Sequence, residues 1–595
     1  MRIKQKSKTK GPSSPPSRRS WRDRLRQSCV PLAVCGLALA VYSRSLLCGF
    51  IRDDLTQIVA NPQVQSWQYL PQLLTSHLWS QMAGSYALFY RPLFSVWMLV
   101  IYTLGGLAPW FWHLSSILLH VACTYLVYRL SKRLIGGEVG AGLAAALFAV
   151  HPIHVDAVTW VSASNEILFS VLTLGAMLVL LTHGDRWPIL LSAGLYFTGL
   201  FAKETGVALI VLLIAMAWIR SKDRQSSWSK RLVLAGSPYL AATAAYMLIR
   251  WSVMHSVGVE NGEHSWREVF FTSPSVMLFY LRKLIVPVGL SGAYVNPIHS
   301  SPTMAFWLPM AAILLFVLLM TWLALRMNPV VGFSAALILL PLLPVLAAIR
   351  LYAQGDMTHN RYLYLPSVGL CLLIGLVAQR MLEAPRSTRL AFASVLTVAL
   401  VAFSGLTFAQ QRFYDDDVAF LQREIEVDPA NSYAYGLLGN TYMGQGRTDL
   451  GLKNYRIASE LAPDDPRITL FLVRGLFADQ KYTETEAILN RLMLRKDFSA
   501  NRQNGILLSL ANVEIELGKL DSAQHLLQQV EQADANFPEL HQAFGVLYRT
   551  QGQIPLAQAE FEKEYQLTGD EMAHRQSILL SKRMLSRATS SDVSR

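Results

Sequence analysis

Residues 30–50, VPLAVCGLALAVYSRSLLCGF, run directly into residues 51–64, IRDDLTQIVANPQV. Wound as a helix at about 1.5 Å per residue, the first stretch is long enough to cross a bilayer core of roughly 30 Å. The chain is therefore read as built into a membrane, with Asp53 and Asp54 where its first helix re-enters water. Carboxylates at that boundary are placed for interfacial chemistry.

The rest of the chain fits this start. The 595 residues are 52% hydrophobic and 16% charged, the composition of a polytopic membrane protein rather than a string of soluble domains. Apolar runs follow one another from residue 30 to about residue 408, whereas 416–595 reads as water-soluble. Many of the basic residues behind the net charge of +13 lie in the N-terminal tail and in loops between apolar runs, the topological positive-inside signal. No recognition motif accompanies them, so nucleic acid is not an expected partner. Residues 1–28, basic and rich in Pro and Ser, read as a disordered cytoplasmic tail, and the run after them as a signal anchor without a small-residue cleavage site. The five cysteines lie in or beside apolar runs without paired metal-ligand spacing, and read as small buried hydrophobes.

With Ser28 taken as cytoplasmic, the loops can be assigned to alternate sides. The basic loops Arg129 to Arg133, His183 to Arg186, Arg220 to Arg231 and Arg380 to Arg389 all fall inside on one condition. The stretches Leu93 to Leu107 and Val276 to Leu290, short and flanked by interfacial residues, must lie on or dip into the outer face. About eleven spans then remain. Asp53 and Asp54, Tyr90 to Pro92, the segment HPIHVDAVTWVSASNE (His151 to Glu166), Lys203 and Glu204, and HNRYLYLP (His359 to Pro366) emerge together on the outer face. Ionisable groups gathered at one membrane surface signal a functional site.

The soluble part carries a repeat. Tyr435, Leu438, Gly439, Tyr442, Gly446, Tyr455, Ala458 and Pro463 follow the tetratricopeptide pattern, whose period is about 34 residues. A good copy starts at Pro538, and weaker ones start near Pro466 and Asn504. Small residues let paired helices approach and aromatic residues fill the seam, so a stack of pairs forms a superhelix with a concave face that takes extended peptides or partner proteins. The expected organisation is a tail at 1–28, a membrane domain at 29–411, a linker or half-repeat at 412–431, repeats at 432–580 and a disordered C-terminus at 581–595.

The motifs GFIRDDLTQIVANPQV, YRPL at Tyr90, WHLSSILLHVACTYLVYRL from Trp112, HPIHVDAVTWVSAS, KETG at Lys203 and RYLYLPSVGL from Arg361, together with the repeats, give the chain a family resemblance. It resembles the transmembrane and tetratricopeptide repeat protein O-mannosyltransferases and their bacterial relatives. The resemblance implies an all-α fold, a type C glycosyltransferase-like membrane bundle followed by the repeat superhelix. It further implies transfer of a sugar from a polyprenyl-phosphate carrier at the outer face, with the family's acidic motif matching Asp53 and Asp54.

The residue chemistry agrees. Displacing a lipid phosphate from an anomeric carbon needs a base beside the attacking hydroxyl, a role for Asp53 or Asp54. The departing phosphate needs positive charge, for which Arg91 and Arg361, beside Tyr90 and Tyr362, are the candidates. Lys203 and Glu204 read as binding residues or as a mutually neutralising pair. His151, His154 and Asp156 have the side chains of a metal set, but Pro152 interrupts their helix, which favours hydrogen-bonding and positioning roles for them; with Tyr90, Glu166 and Tyr362 they are read as substrate-binding residues. Whether a divalent cation is needed is left open.

The expected function is an inner-membrane glycosyltransferase of bacterial type with its repeats in the periplasm. Its partners are then a polyprenyl-phosphate-linked sugar and an acceptor, protein or glycan, engaged through the repeats. Two rival readings stand beside it: a surface-glycan polymerase or ligase, and a non-catalytic membrane scaffold with a docking arm.

Overall fold

The computed structural model describes residues 21–81, 89–182, 187–220, 227–254, 264–351, 356–495, 498, 500–568 and 571–592. The tail read at 1–28 lies outside the described residues up to residue 20, and helix begins at Trp21. The basic loops read at His183 to Arg186 and Arg220 to Arg231 also fall wholly or partly outside them. The protein is nearly all helical; among the described residues no β-strand forms, only an isolated bridge between Tyr294 and Thr358.

Among the described residues, eight helices are long and apolar enough to cross a membrane. The pair Glu138–Val150 and Pro152–Thr159, bent by 47°, is together long and apolar enough to make a ninth. The bend has a local cause: His151 is extended at φ −67° and ψ 123°, as a residue before proline prefers. The remaining two of the eleven expected spans fall short of that length, as Trp187–Leu200 and Ile210–Arg220, because the polar KETG segment breaks the chain between them. The stretches expected not to span form Pro92–Gly105 and, from the capping box of Ser265 and Glu268 onward, Trp266–Ile285.

Burial separates the interior from the lipid face. Glu138–Val150 and Tyr364–Met381 cross at Gly140 and Gly375, where a Cβ on either would lie 2.5 Å from the other's carbonyl oxygen. Only glycine allows that approach. Met304–Arg326, by contrast, leaves Leu308, Leu315, Leu318 and Leu325 each more than 60% exposed. A helix apolar all round and bare of protein is a lipid-facing span. The chain is an integral, multi-pass membrane protein.

The water-soluble part is four helix pairs: Ser432–Gly444 with Thr448–Leu461, Pro466–Ala478 with Tyr482–Met493, Ala500–Glu516 with Leu520–Ala533, and Leu540–Thr550 with Ile554–Thr568. The small positions read from the pattern are required. A Cβ on Gly439 would lie 2.5 Å from the Tyr455 ring, and one on Gly545 2.8 Å from the Phe561 ring. The first helix of three pairs ends on a left-handed glycine, Gly446, Gly518 or Gly552, whereas the second pair has Gln480 there at φ 58°. A last helix, Glu571–Asp592, buries Ala573 and Leu580 against Ala557 and Phe561. Residues 581–592, expected as a disordered terminus, continue that helix.

The repeats do not hang free. Helix Asp417–Val427 packs on Ser432–Gly444, and its N-terminal approach is fastened to the loop after the first membrane helix. Asp415 takes both guanidinium nitrogens of Arg44 at 2.9 and 2.8 Å, and its carbonyl accepts the Gly49 N–H at 3.0 Å. The repeats therefore join the bundle at the end that carries Asp53 and Asp54.

Candidate functional site

The acidic loop is built in an unusual conformation. Arg52 adopts φ 50°, a left-handed backbone that costs a non-glycine residue roughly 1 kcal/mol or more. The two carboxylates, consecutive residues of the helical turn that follows, point in different directions. Asp54 is fully buried with both oxygens engaged: Oδ1 accepts from Ser162 N at 2.7 Å and Ser162 Oγ at 2.5 Å, and Oδ2 from Ile51 N at 3.2 Å. Burial lifts its pKa to about 7 against the pull of those bonds. Asp53 instead faces a cavity. Burial raises its pKa too, opposed by the charges of Arg52 and Arg361.

That cavity has a volume of about 210 Å³, and its lining gathers residues far apart in sequence: Asp53, Arg91, Glu166, Lys203, Arg361 and Tyr362. The Arg361 guanidinium stacks on Trp160 at 4.6 Å, and its Nη1 is buried with no hydrogen-bond partner. A desolvated guanidinium with a donor to spare is a receptor for an anion. Its backbone is fixed from behind by Asp156, whose Oδ2 accepts Arg361 N at 2.9 Å while Oδ1 accepts from Tyr414 at 3.4 Å.

The other charges are paired, though not as sequence neighbours suggest. Lys203 bonds Glu166 and lies 4.8 Å from the Tyr362 ring, while Glu204 takes Arg91 Nε and Nη2 at 2.8 and 2.6 Å. The reading of Lys203 and Glu204 as neutralising each other is thus corrected: each turns to a partner from a different segment. Burial alone would raise Glu204, but the Arg91 clamp overrides it and holds the carboxyl at about 2. Burial, aided by Arg91, pushes the Lys203 ammonium well below the usual lysine range.

Three further sequence-named residues lie outside the cavity lining. Tyr90 donates to Leu74 O at 2.8 Å and packs on Phe201. His151 Nε2 lies 3.1 Å from Leu284 O while its Nδ1 accepts from Ile153 N, and His154 Nε2 lies 2.7 Å from Ser367 Oγ. Each imidazole is engaged with a different neighbour, and Asp156 with a third set. Among the described residues no three His, Cys, Asp or Glu side chains converge to hold a metal ion, so His151, His154 and Asp156 do not form the metal set their spacing suggested.

Some lining residues escaped the sequence reading. Trp160 and Ser162 sit inside the segment singled out above but were not distinguished in it. Asp356 was missed, although it falls in a polar break (GDMTHN) at the same membrane end; burial lifts its carboxyl to about 6.

The fold and cavity define a class: a multi-pass helical membrane protein with an ionisable pocket at the end of the bundle where helical repeats attach. No protein-family model matches the chain. In sequence it is similar to protein O-mannosyl-transferase F38B6.6 of Caenorhabditis elegans, 23% identical over 73% of this chain and 62% of that protein. It is likewise similar to protein O-mannosyl-transferase TMTC3 of Homo sapiens, 22% identical over 86% of this chain and 61% of that protein. Over a shorter stretch, 30% of this chain and 22% of the relative, it is 32% identical to Tmtc1 of Drosophila melanogaster. Its curated relatives are thus protein O-mannosyl-transferases, and the chain spans about three fifths of the length of the first two. Among solved structures, ArnT from Cupriavidus metallidurans bound to undecaprenyl phosphate aligns with 78% of this chain and 80% of its own at 14% identity, but the TM-score of 0.35 is too low to argue from.

Proposed function

We propose that this chain is a membrane glycosyltransferase that moves a sugar from a polyprenyl-phosphate donor to a hydroxyl of an extracytoplasmic acceptor, a protein above all. One observation carries the reading: Asp53 and Arg361, whose buried Nη1 has no hydrogen-bond partner, line the same cavity of about 210 Å³. That volume is below the roughly 300 Å³ at which drug-sized pockets begin, and suits a single sugar head group.

In this mechanism Asp53 accepts the proton of the acceptor hydroxyl as its oxygen bonds to the anomeric carbon. The bond from that carbon to the phosphate oxygen breaks, and its electron pair leaves with the lipid phosphate. Arg361 receives the developing charge, in a pocket where burial strengthens the attraction. Asp54 takes no part in the proton transfer; it anchors the loop. Arg91 and Glu204, locked together, and Lys203 with Glu166 and Tyr362 shape the wall that orients the sugar.

The domain assignment follows: residues 29–411 perform the transfer and 432–580 present the acceptor. We place the chain in a bacterial inner membrane with its repeats in the periplasm, on the side of Asp53. Purified protein given polyprenyl-phosphate sugars with a peptide or a short glycan tests the reading. Sugar on the peptide supports it, sugar on the glycan alone favours a polymerase, and no transfer returns the chain to the scaffold class. Cysteine labelling near Tyr433 in intact cells tests the sidedness; labelling only after lysis contradicts it.

A further inference from the structure

The helix that joins the repeats to the membrane domain touches the site along two separate lines. Along the first, Asp417 Oδ1 accepts the Arg52 N–H at 2.5 Å. Arg52 is the left-handed residue immediately before Asp53, which lines the cavity, and the carbonyl of Asp415 holds the same loop at Gly49. Along the second line, the Phe420 ring packs edge-on against Trp160 at 5.4 Å, and Trp160 carries the Arg361 guanidinium on its other contact. Phe420 is itself seated on Gly292, where an added Cβ would lie 2.0 Å from its ring, and Arg423 Nε donates to Leu290 O at 3.1 Å.

A strained backbone conformation persists only where its surroundings hold it. For Arg52 the hold is a carboxylate that belongs to the soluble arm, 365 residues away in the chain. We propose that helix Asp417–Val427 is a brace for the active site, in which Asp417 positions Asp53 through Arg52 and Phe420 positions Arg361 through Trp160. Neither residue touches the reacting atoms. The inference rests on the proposed transferase reading for its kinetics, but not for its geometry. It makes the root of the repeat arm a component of the catalytic apparatus.

The two lines end on groups with different tasks, which gives the test its discrimination. Asp417→Leu removes the acceptor for Arg52 N–H at similar size, so kcat falls about 10- to 100-fold as the base is misplaced, with donor KM within about twofold. Asp417→Asn keeps an acceptor oxygen and retains transfer. Phe420→Leu loosens Trp160 and with it Arg361, which holds the donor phosphate and takes up its charge, so donor KM rises about tenfold and kcat falls with it, whereas Asp417→Leu lowers kcat alone. A donor KM left unchanged in Phe420→Leu, or raised as much in Asp417→Leu as in Phe420→Leu, overturns the brace.

Amide hydrogen exchange supplies an arm independent of activity. The Arg52 amide exchanges faster in Asp417→Leu and at the native rate in Asp417→Asn. If no protein, native included, transfers sugar, the transferase reading fails alone and exchange still decides the brace. An Arg52 amide equally protected in Asp417→Leu and in the native protein overturns it.

Discussion

Asp54→Asn separates a carboxylate that holds a loop from one that takes a proton. Asp54 accepts three hydrogen bonds, two from Ser162 on Oδ1 and one from Ile51 on Oδ2. Asparagine has one oxygen for these three donors. Turned toward Ser162 it keeps two bonds, and its amide N–H₂ then meets the Ile51 N–H in a buried donor–donor contact. One lost bond with an unsatisfied buried donor costs about 2 kcal/mol, within the usual range of roughly 1–3. At about 1.4 kcal/mol per tenfold, local opening becomes about 30-fold more frequent. The assay is amide exchange at Ile51 in detergent or nanodiscs at about pH 8, where Asp54, with its pKa at about 7, is ionised. Asp53→Asn leaves this rate unchanged, because its side chain faces the cavity, yet abolishes transfer. Ile51 exchange at the native rate in Asp54→Asn, or equal acceleration in both variants, refutes the division of roles.

Burial raises the Asp53 pKa, and only its ionised form accepts a proton, so transfer is lost on acidification at a pH above the 3.8 of an ordinary aspartate; a kcat/KM–pH profile reads this limb. Glu204, held at about 2 instead of 4.5, contributes stability that is fully present above pH 4.5 and is lost as pH falls toward 2. The shift corresponds to at most about 3 kcal/mol, and Glu204→Gln removes this acid-dependent part from the thermal midpoint measured against pH. Gln480→Gly relieves a left-handed non-glycine residue in the second repeat and raises the stability of the repeat region by up to about 1 kcal/mol, measured by urea unfolding of the full chain followed by exchange in residues 466–493.

The repeats were legible because their packing demands are local. Gly439 against Tyr455 and Gly545 against Phe561 recur at fixed spacing within one helix pair, so the pattern announces the contact. The copy near Pro466 reads weakly because Gln480 occupies the place where the other pairs have glycine. The bend at Pro152 was legible for the same reason, since proline acts on its own residue and the one before. The final helix was not, because its cover, Ala573 and Leu580 on Phe561, appears only once the preceding pair is folded.

Ion pairing was the least legible part. Adjacent Lys203 and Glu204 invite mutual neutralisation, but the backbone turn at KETG sends them to Glu166 and Arg91. The partition between Asp53 and Asp54 depends on Ser162, 108 residues on, and on Asp417, from the arm. No local pattern encodes those distances. The His151, His154 and Asp156 spacing suggested convergence that carbonyl and hydroxyl partners on other segments prevent.

The central claim is that Asp53 and Arg361 act on one lipid-linked sugar across one cavity. The most direct measurement is single-turnover transfer from radiolabelled polyprenyl-phosphate sugars to a hydroxyl-bearing peptide, by native protein, Asp53→Asn and Arg361→Gln in nanodiscs at saturating donor. The account predicts labelled peptide from the native protein. Asp53→Asn binds donor normally but gives no product, and Arg361→Gln shows both weakened donor binding and slowed transfer. Labelled peptide formed at the native rate by Asp53→Asn contradicts it.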